Sequence, residues 1–448
     1  MTSLVCPMDY RYGRDEMKVI FSEENRLHTL LSVEATLVEA HARFGNVPES
    51  APPIIWKAIK KRKVKLKRVK EIEAQIRHDL MAVVKALSEQ CGDAGNYIHL
   101  GATSYDIIDT ANAMQMVQAV HLLLSDLESL ESTLADLAKK HRDLVMIGRT
   151  HGQFAVPITL GLKLAVFTME IHRHIERLKQ AQLRISAGKM SGATGSMAAL
   201  GEEAFGIQEF VMDSLGLTIE EAATQIVQRD RYTEYVFILC NISATIEKFA
   251  TEIRNLQRSE LLEVAESFDV KKQVGSSTMA HKQNPITCEN ISGLARVIRG
   301  FATPTMENMI QWHERDLANS SAERFILPHV SILTDDILVK MEEVFRNLRV
   351  FPENIKRNLD MSNGLPMAES VMMVLTTKGR GRQEAHEVVR QCSMEALNSG
   401  VHLKKILLKD DRVTSLVSRK EINKAMKYEN YIGKSAEIVD RVVETVRS

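Results

Sequence analysis

The chain has 448 residues, 44% hydrophobic and 26% charged, and its 58 basic side chains balance 58 acidic ones to a formal net charge of zero. This is the composition of an ordinary folded protein with a large core. It excludes a small disulfide scaffold, a disordered chain, and nucleic-acid binding through a global positive field. Five single cysteines, Cys6, Cys91, Cys240, Cys288 and Cys392, show no C-x-x-C spacing, which argues for reduced thiols and against a zinc site. The N-terminus carries Arg11, Asp15 and Glu16 where a secretion signal needs an apolar core, and no run of about 18 apolar residues occurs. A cytoplasmic protein without a membrane partner is expected.

In chain order, the first marked feature is the basic run Lys57–Lys70, interrupted by Val64, Leu66 and Val69 and followed by Glu71 and Glu73. That pattern reads as a solvated helix face, so no nucleic-acid partner is expected; an RNA site there would show strongly salt-dependent affinity. Arg77-His78-Asp79 lies on an otherwise helical stretch. Next comes His99-Leu-Gly-Ala-Thr-Ser104 with Asp106, Asp109 and Thr110, whose hydroxyls and amides ahead of a helix suit either an anion cradle or a helix cap.

From Ala111 to Asp143 the apolar positions Met114, Val117, Val120, Leu124, Leu127, Leu130, Leu134 and Leu137 recur at helical spacing. Leu160–Leu183, Val236–Leu262 and Ile332–Leu348 read the same way. Prolines are sparse: Pro157 is the next after Pro53, and Pro285 the next after that, so long helices are the natural filling. Between them lie Gly148-Arg-Thr-His-Gly-Gln153, read as a helix start, and Gly188–Gly195, which lacks the order of a phosphate loop. Gly275–Pro285 is a glycine-hinged, serine-rich loop suited to a lid. His313–Arg324 offers guanidinium and hydroxyl groups suited to carboxylate or phosphate.

The expected fold is all-α, with a central bundle of long helices. The regions are 1–107, ending in the loop Gly92–Asp106; 108–351, ending in Arg349–Asn354; and a C-terminal helical region 352–448. HExxH, GxSxG and a strand-borne GxGxxG are absent, and none of the 14 histidines follows an acidic residue by three positions. A metal or redox cofactor is therefore not expected.

Thr103-Ser104, Arg149–Gln153, Gly188–Gly195 and Gly275–Pro285, in that order between long helices, resemble the fumarase/aspartase superfamily. Ser276–Pro285 is similar to its S-S-x-M-P-x-K-x-N-P signature. Ala280 stands where the superfamily has proline, so no ring fixes φ there. Within the superfamily, Arg77-His78-Asp79, Thr224–Tyr235, His313–Arg324 and Gly381–Val389 resemble the adenylosuccinate lyase family. Argininosuccinate lyase and carboxymuconate cycloisomerase are the alternatives, and Arg77-His78-Asp79 together with His151 count against both.

The resemblance implies a cofactor-free elimination of fumarate from adenylosuccinate, giving AMP, and from the succinyl-aminoimidazole-carboxamide ribotide of purine synthesis. It implies Ser276 as base, His151 as acid and Glu289 as the group that orients the imidazole. Lys282, Asn284, Thr103 and Ser104 would stabilise the aci-carboxylate. Arg77, His78 and Asp79 would lie near phosphate or carboxylates and Gln225 on the succinyl group. Arg11, Tyr12, Arg315, Ser320 and Arg324 would serve the phosphate and ribose. It further implies a homotetramer with a twenty-helix core and active sites shared between subunits.

Overall fold

The computed structural model describes residues 4–268, 278–279 and 281–448. Among them are twenty α-helices and three two-stranded sheets, so the chain is all-α as its periodicity predicts. The helices that position the site are α1 (Glu23–Arg43), α2 (Leu66–Ile76), α3 (Asp79–Ser88), α4 (Ser104–Lys140), α5 (Leu160–Ile185), α6 (Asp230–Leu256), α7 (Ile286–Gly300) and α8 (Ala318–Arg346). The strands are β1 (Val145–Thr150), β2 (Gln153–Thr159), β3 (Ala187–Gly188), β4 (Thr218–Ile219), β5 (Val264–Ala265) and β6 (Arg349–Val350).

Three local differences from the sequence reading have clear causes. Gly148–Gln153 is not a helix start: it lies on the β1–β2 hairpin, and α5 begins only at Leu160. α8 starts at Ala318, well before Ile332, and runs through Pro328, whose ring removes a single backbone bond within the helix. The basic run divides between the helix Ala51–Lys60 and α2. There Arg68 pairs with Glu71 and Glu89, and Lys70 with Glu23.

Packing divides the chain into two compact units, the first formed by Met1–Leu127, His174–Ile246 and Gly293–Val339, the second by Glu128–Arg173, Glu247–Ser292 and Lys340–Ser448. The core of the first unit joins Leu30 and Leu37 of α1, Leu80 and Leu87 of α3, Ile107 and Ala111 of α4, and Met190, Ile207 and Val211. Buried ion pairs cross this core. Lys189 Nζ donates to Asp106 Oδ1 at 2.5 Å, with neither side chain exposed. Arg229 is held by Asp109 at 2.8 Å and by Glu323 at 2.7 Å.

In the second unit, Phe167 stacks on Phe249 with centroids 4.1 Å apart, and Phe345 meets both edge-on. The C-terminal helices enclose a core of their own that includes Met367, Leu375, Val389, Leu407 and Ile422.

Asp106 also accepts from the amides of Thr103, Ser191 and Gly192. Asp106→Ala therefore strands a buried lysine charge and three amide donors, and is expected to destabilise the protein by about 3–5 kcal/mol. Lys189→Met leaves those three donors in place and is expected to lose less. Urea unfolding at matched protein concentration checks the order; equal losses would contradict it.

Candidate active site

Several candidate site residues of the first unit sit where helices begin and end. Arg77 closes α2 in the left-handed region at φ 56°, and His78 caps α3, its Nδ1 accepting from the Met81 amide at 3.3 Å. Asp79 takes the amide of Leu80 on one oxygen and Arg324 on the other, at 2.8 and 2.6 Å. Burial pushes its carboxyl pKa up, but the Leu80 N–H and the Arg324 charge outweigh burial and hold it below the ordinary carboxylate range.

Arg315 donates to Gln225 Oε1 at 2.8 Å, and its guanidinium carbon lies 3.6 Å from the centre of the Tyr105 ring. The Tyr105 phenol is hydrogen-bonded to Ser320, and burial raises its pKa. Gln225 and Arg315 thus meet Tyr105 and Ser320 in one set of contacts, and Arg324, Asp79 and His78 form a second, each drawn from residues widely separated in sequence. Tyr105, in the first turn of α4 beside Thr103 and Ser104, is a residue the sequence reading does not single out. Thr103 and Ser104 are half-buried at the start of α4, and the Thr103 amide is taken by Asp106. Arg11 is exposed after the short helix Pro7–Tyr10, with its guanidinium 5.8 Å from the Tyr12 ring. Arg14, just beyond, is anchored to Asp126 and Asp335.

In the second unit, His151 and Gly152 form the two-residue turn between the paired residues Thr150 and Gln153. Their φ angles are 54° and 75°, as a type I′ hairpin turn requires. His151 is exposed at this tip. Two residues earlier, Arg149 makes a bidentate pair with the fully buried Glu263, at 3.0 and 2.6 Å, and Asn358 donates to the same carboxylate. That pair fixes the root of the turn.

Lys282, Asn284 and Glu289 line one cavity of about 910 Å³ together with Arg254, Arg258 and Arg349. Glu289 lies in the first turn of α7, where the helix dipole favours a carboxylate. Among the described residues of a single chain, no hydrogen bond joins His151 to Glu289. Ser276, Ser277 and Ala280 lie outside the described residues.

A family model described as "Lyase" matches residues 8–300, and one described as "Adenylosuccinate lyase C-terminus" matches 364–442. The adenylosuccinate lyase of Pyrococcus abyssi is 52% identical over 442 residues, covering 99% of this chain and 98% of that one. The chain belongs to the adenylosuccinate lyase family. The adenylosuccinate lyase of Methanocaldococcus jannaschii is 46% identical, covering 99% of this chain and 96% of that one. Solved structures share the fold at lower identity. A fumarate lyase from Mesorhizobium sp. BNC1 has TM-score 0.89 at 32% identity, covering 96% and 98% of the two chains. The 3-carboxy-cis,cis-muconate lactonizing enzyme of Pseudomonas putida has TM-score 0.89 at 33% identity, covering 98% of each. Membership in the adenylosuccinate lyase family makes the chain a carbon–nitrogen lyase.

One site loop carries a pH-dependent contact. His99 Nδ1 lies 2.8 Å from the fully buried Glu34. Burial lowers the imidazole pKa, but the Glu34 hydrogen bond and charge overcome it and hold it above the ordinary value. The pair's contribution is thus full below the unfolded histidine pKa of about 6.5 and is lost as pH rises through the higher folded value. Thermal unfolding from pH 5.5 to 9 should show Glu34→Gln approaching the wild type as pH rises. A gap that stays constant would refute the assignment.

Proposed function

We propose that the protein cleaves adenylosuccinate to AMP and fumarate, and SAICAR to AICAR and fumarate, without a cofactor. The observation that carries this reading is full-length similarity to adenylosuccinate lyases with Lys282, Asn284 and Pro285 of the signature in place. The reaction removes a proton from the carbon beside a carboxylate, so charge builds on that carboxylate. Lys282 and Asn284, walls of one cavity, are suited to receive it. Thr103 and Ser104 supply hydroxyls for the same group.

His151 delivers a proton to the departing nitrogen, and Glu289 orients its imidazole in the assembled enzyme. Ser276 is the base, a role that rests on the signature. A serine hydroxyl is a poor base until positive charge and N–H dipoles stabilise its alkoxide. Gln225 holds the succinyl group. Arg77, His78 and Asp79 serve the phosphate or carboxylates, and Arg11, Tyr12, Arg315, Ser320 and Arg324 the phosphate and ribose; the contacts of Arg315 with Gln225 and of Arg324 with Asp79 support this grouping.

The same proposal includes a cytoplasmic homotetramer with shared sites and the regions 1–107, 108–351 and 352–448. The separate core of Met367–Met426 supports the last boundary. Support for assembly comes from large apolar side chains left in water on the long helices: Leu183 is 70% exposed, Val297 49% and Phe325 64%. No helix among the described residues is long and apolar enough to cross a membrane.

With adenylosuccinate as substrate, Ser276→Ala should lower turnover by about 10²–10⁴ with little change in dissociation constant, while Ser277→Ala retains more activity. A dead Ser277→Ala enzyme beside an active Ser276→Ala enzyme would reverse the assignment of the base.

Sharing of sites has its own test. Mixing inactive His151→Ala and Ser276→Ala proteins under subunit exchange should restore part of the activity. Absence of recovery in mixed oligomers verified by mass spectrometry would show that both groups come from one chain.

A further inference from the structure

We propose that Arg26 is a ligand for the phosphate monoester of the substrate, acting with Ser320 and Arg324; this deepens the substrate reading given above. The three residues line a cavity of about 330 Å³ in the first unit, together with Tyr105 and Asn112. Arg26 reaches it from α1. Its Nη1 donates to Asn112 Oδ1 at 3.1 Å, and among the described residues no carboxylate forms an ion pair with it. Both desolvation and the nearby charge of Arg324 lower its pKa, as expected for a guanidinium held half-dry beside another of like charge.

The carboxylates around the cavity are engaged elsewhere. Glu23 pairs with Lys70 at 2.6 Å, and Glu323 with Arg229 at 2.7 Å. Asp79 pairs with Arg324 at 2.6 Å. Arg315, against the Tyr105 ring, has only the neutral Gln225 as its hydrogen-bond partner among the described residues. Arg26, Arg315, Arg324 and Arg229 thus stand against Asp79, Asp109 and Glu323, an excess of one positive charge that favours an anionic phosphate. Guanidinium forks and a serine hydroxyl are the donors such a group takes. In the sequence, Arg26 is indistinguishable from any polar residue on the first turns of an amphipathic helix, and only the fold brings it beside Ser320 and Arg324.

The test uses the full-length enzyme, with AMP and adenosine as probes in titration calorimetry and adenylosuccinate as substrate. Arg26→Met should weaken AMP binding by about 10- to 100-fold, the range for a charge-assisted hydrogen bond, and leave adenosine binding unchanged. KM for adenylosuccinate should rise, with kcat falling by a smaller factor, and Arg26→Lys should recover part of the loss. Should Arg26→Met fail to fold, Arg26→Lys must show the same AMP-selective weakening at smaller size. Equal weakening of AMP and adenosine, or of neither, would overturn the proposal. A wild-type protein that binds AMP over adenosine yet leaves adenylosuccinate intact would overturn the substrate reading instead, and the AMP-to-adenosine contrast would still decide the role of Arg26.

Discussion

Two carboxylates near the start of α4, Asp106 and Asp109, have no exposure to water, and the site loops of the first unit are tied through them. Asp106 gathers the amides of Thr103, Ser191 and Gly192 and the ammonium of Lys189. It thereby holds the Thr103-Ser104 loop against the glycine-rich segment Gly188–Gly195. Asp109 accepts from the Val227 amide and from Arg229, and Arg229 in turn holds Glu323, which lies between Ser320 and Arg324 on α8. Buried charges are tolerated only when nearly every donor and acceptor is matched. Here the matching fixes the relative placement of loops more than eighty residues apart.

Left-handed backbone recurs in segments that carry candidate site residues. Among the described residues, eight non-glycine positions have positive φ, and Arg77, His99, His151 and His313 are four of them. Left-handed backbone is unfavourable for such residues and persists where the surroundings enforce it. At His151 the enforcing elements are the hairpin register and the Arg149–Glu263 pair. At His99 the imidazole is drawn to the buried Glu34. These candidate residues are thus presented from turns whose backbone is held by their surroundings.

The long helices were legible because proline spacing and a 3.6-residue period are local signals; α5 begins at the residue those signals give, while α4 begins at Ser104 rather than Ala111 and α6 at Asp230 rather than Val236. The loops that carry the site were legible because glycine, hydroxyl and charged residues are concentrated in them. The β1–β2 hairpin was not: His-Gly is not a familiar turn pair, and Pro157 invites a helix start. The Thr103-Ser104 segment was read as an anion cradle or a cap. Its first amide serves the protein's own Asp106, and the partners completing that arrangement, Lys189 to Gly192, lie too far along the chain for a local pattern to link them. Tyr105 and Arg26 escaped notice for the same reason, since their significance comes from α8.

The central claim, that these elements form a carbon–nitrogen lyase acting on adenylosuccinate, is tested most directly by incubating the purified protein with adenylosuccinate. Loss of its ultraviolet absorbance is followed while fumarate and AMP are quantified independently. The account predicts that fumarate and AMP appear in equal amounts, matching the substrate consumed. A folded protein that leaves the absorbance unchanged and releases no fumarate would contradict it.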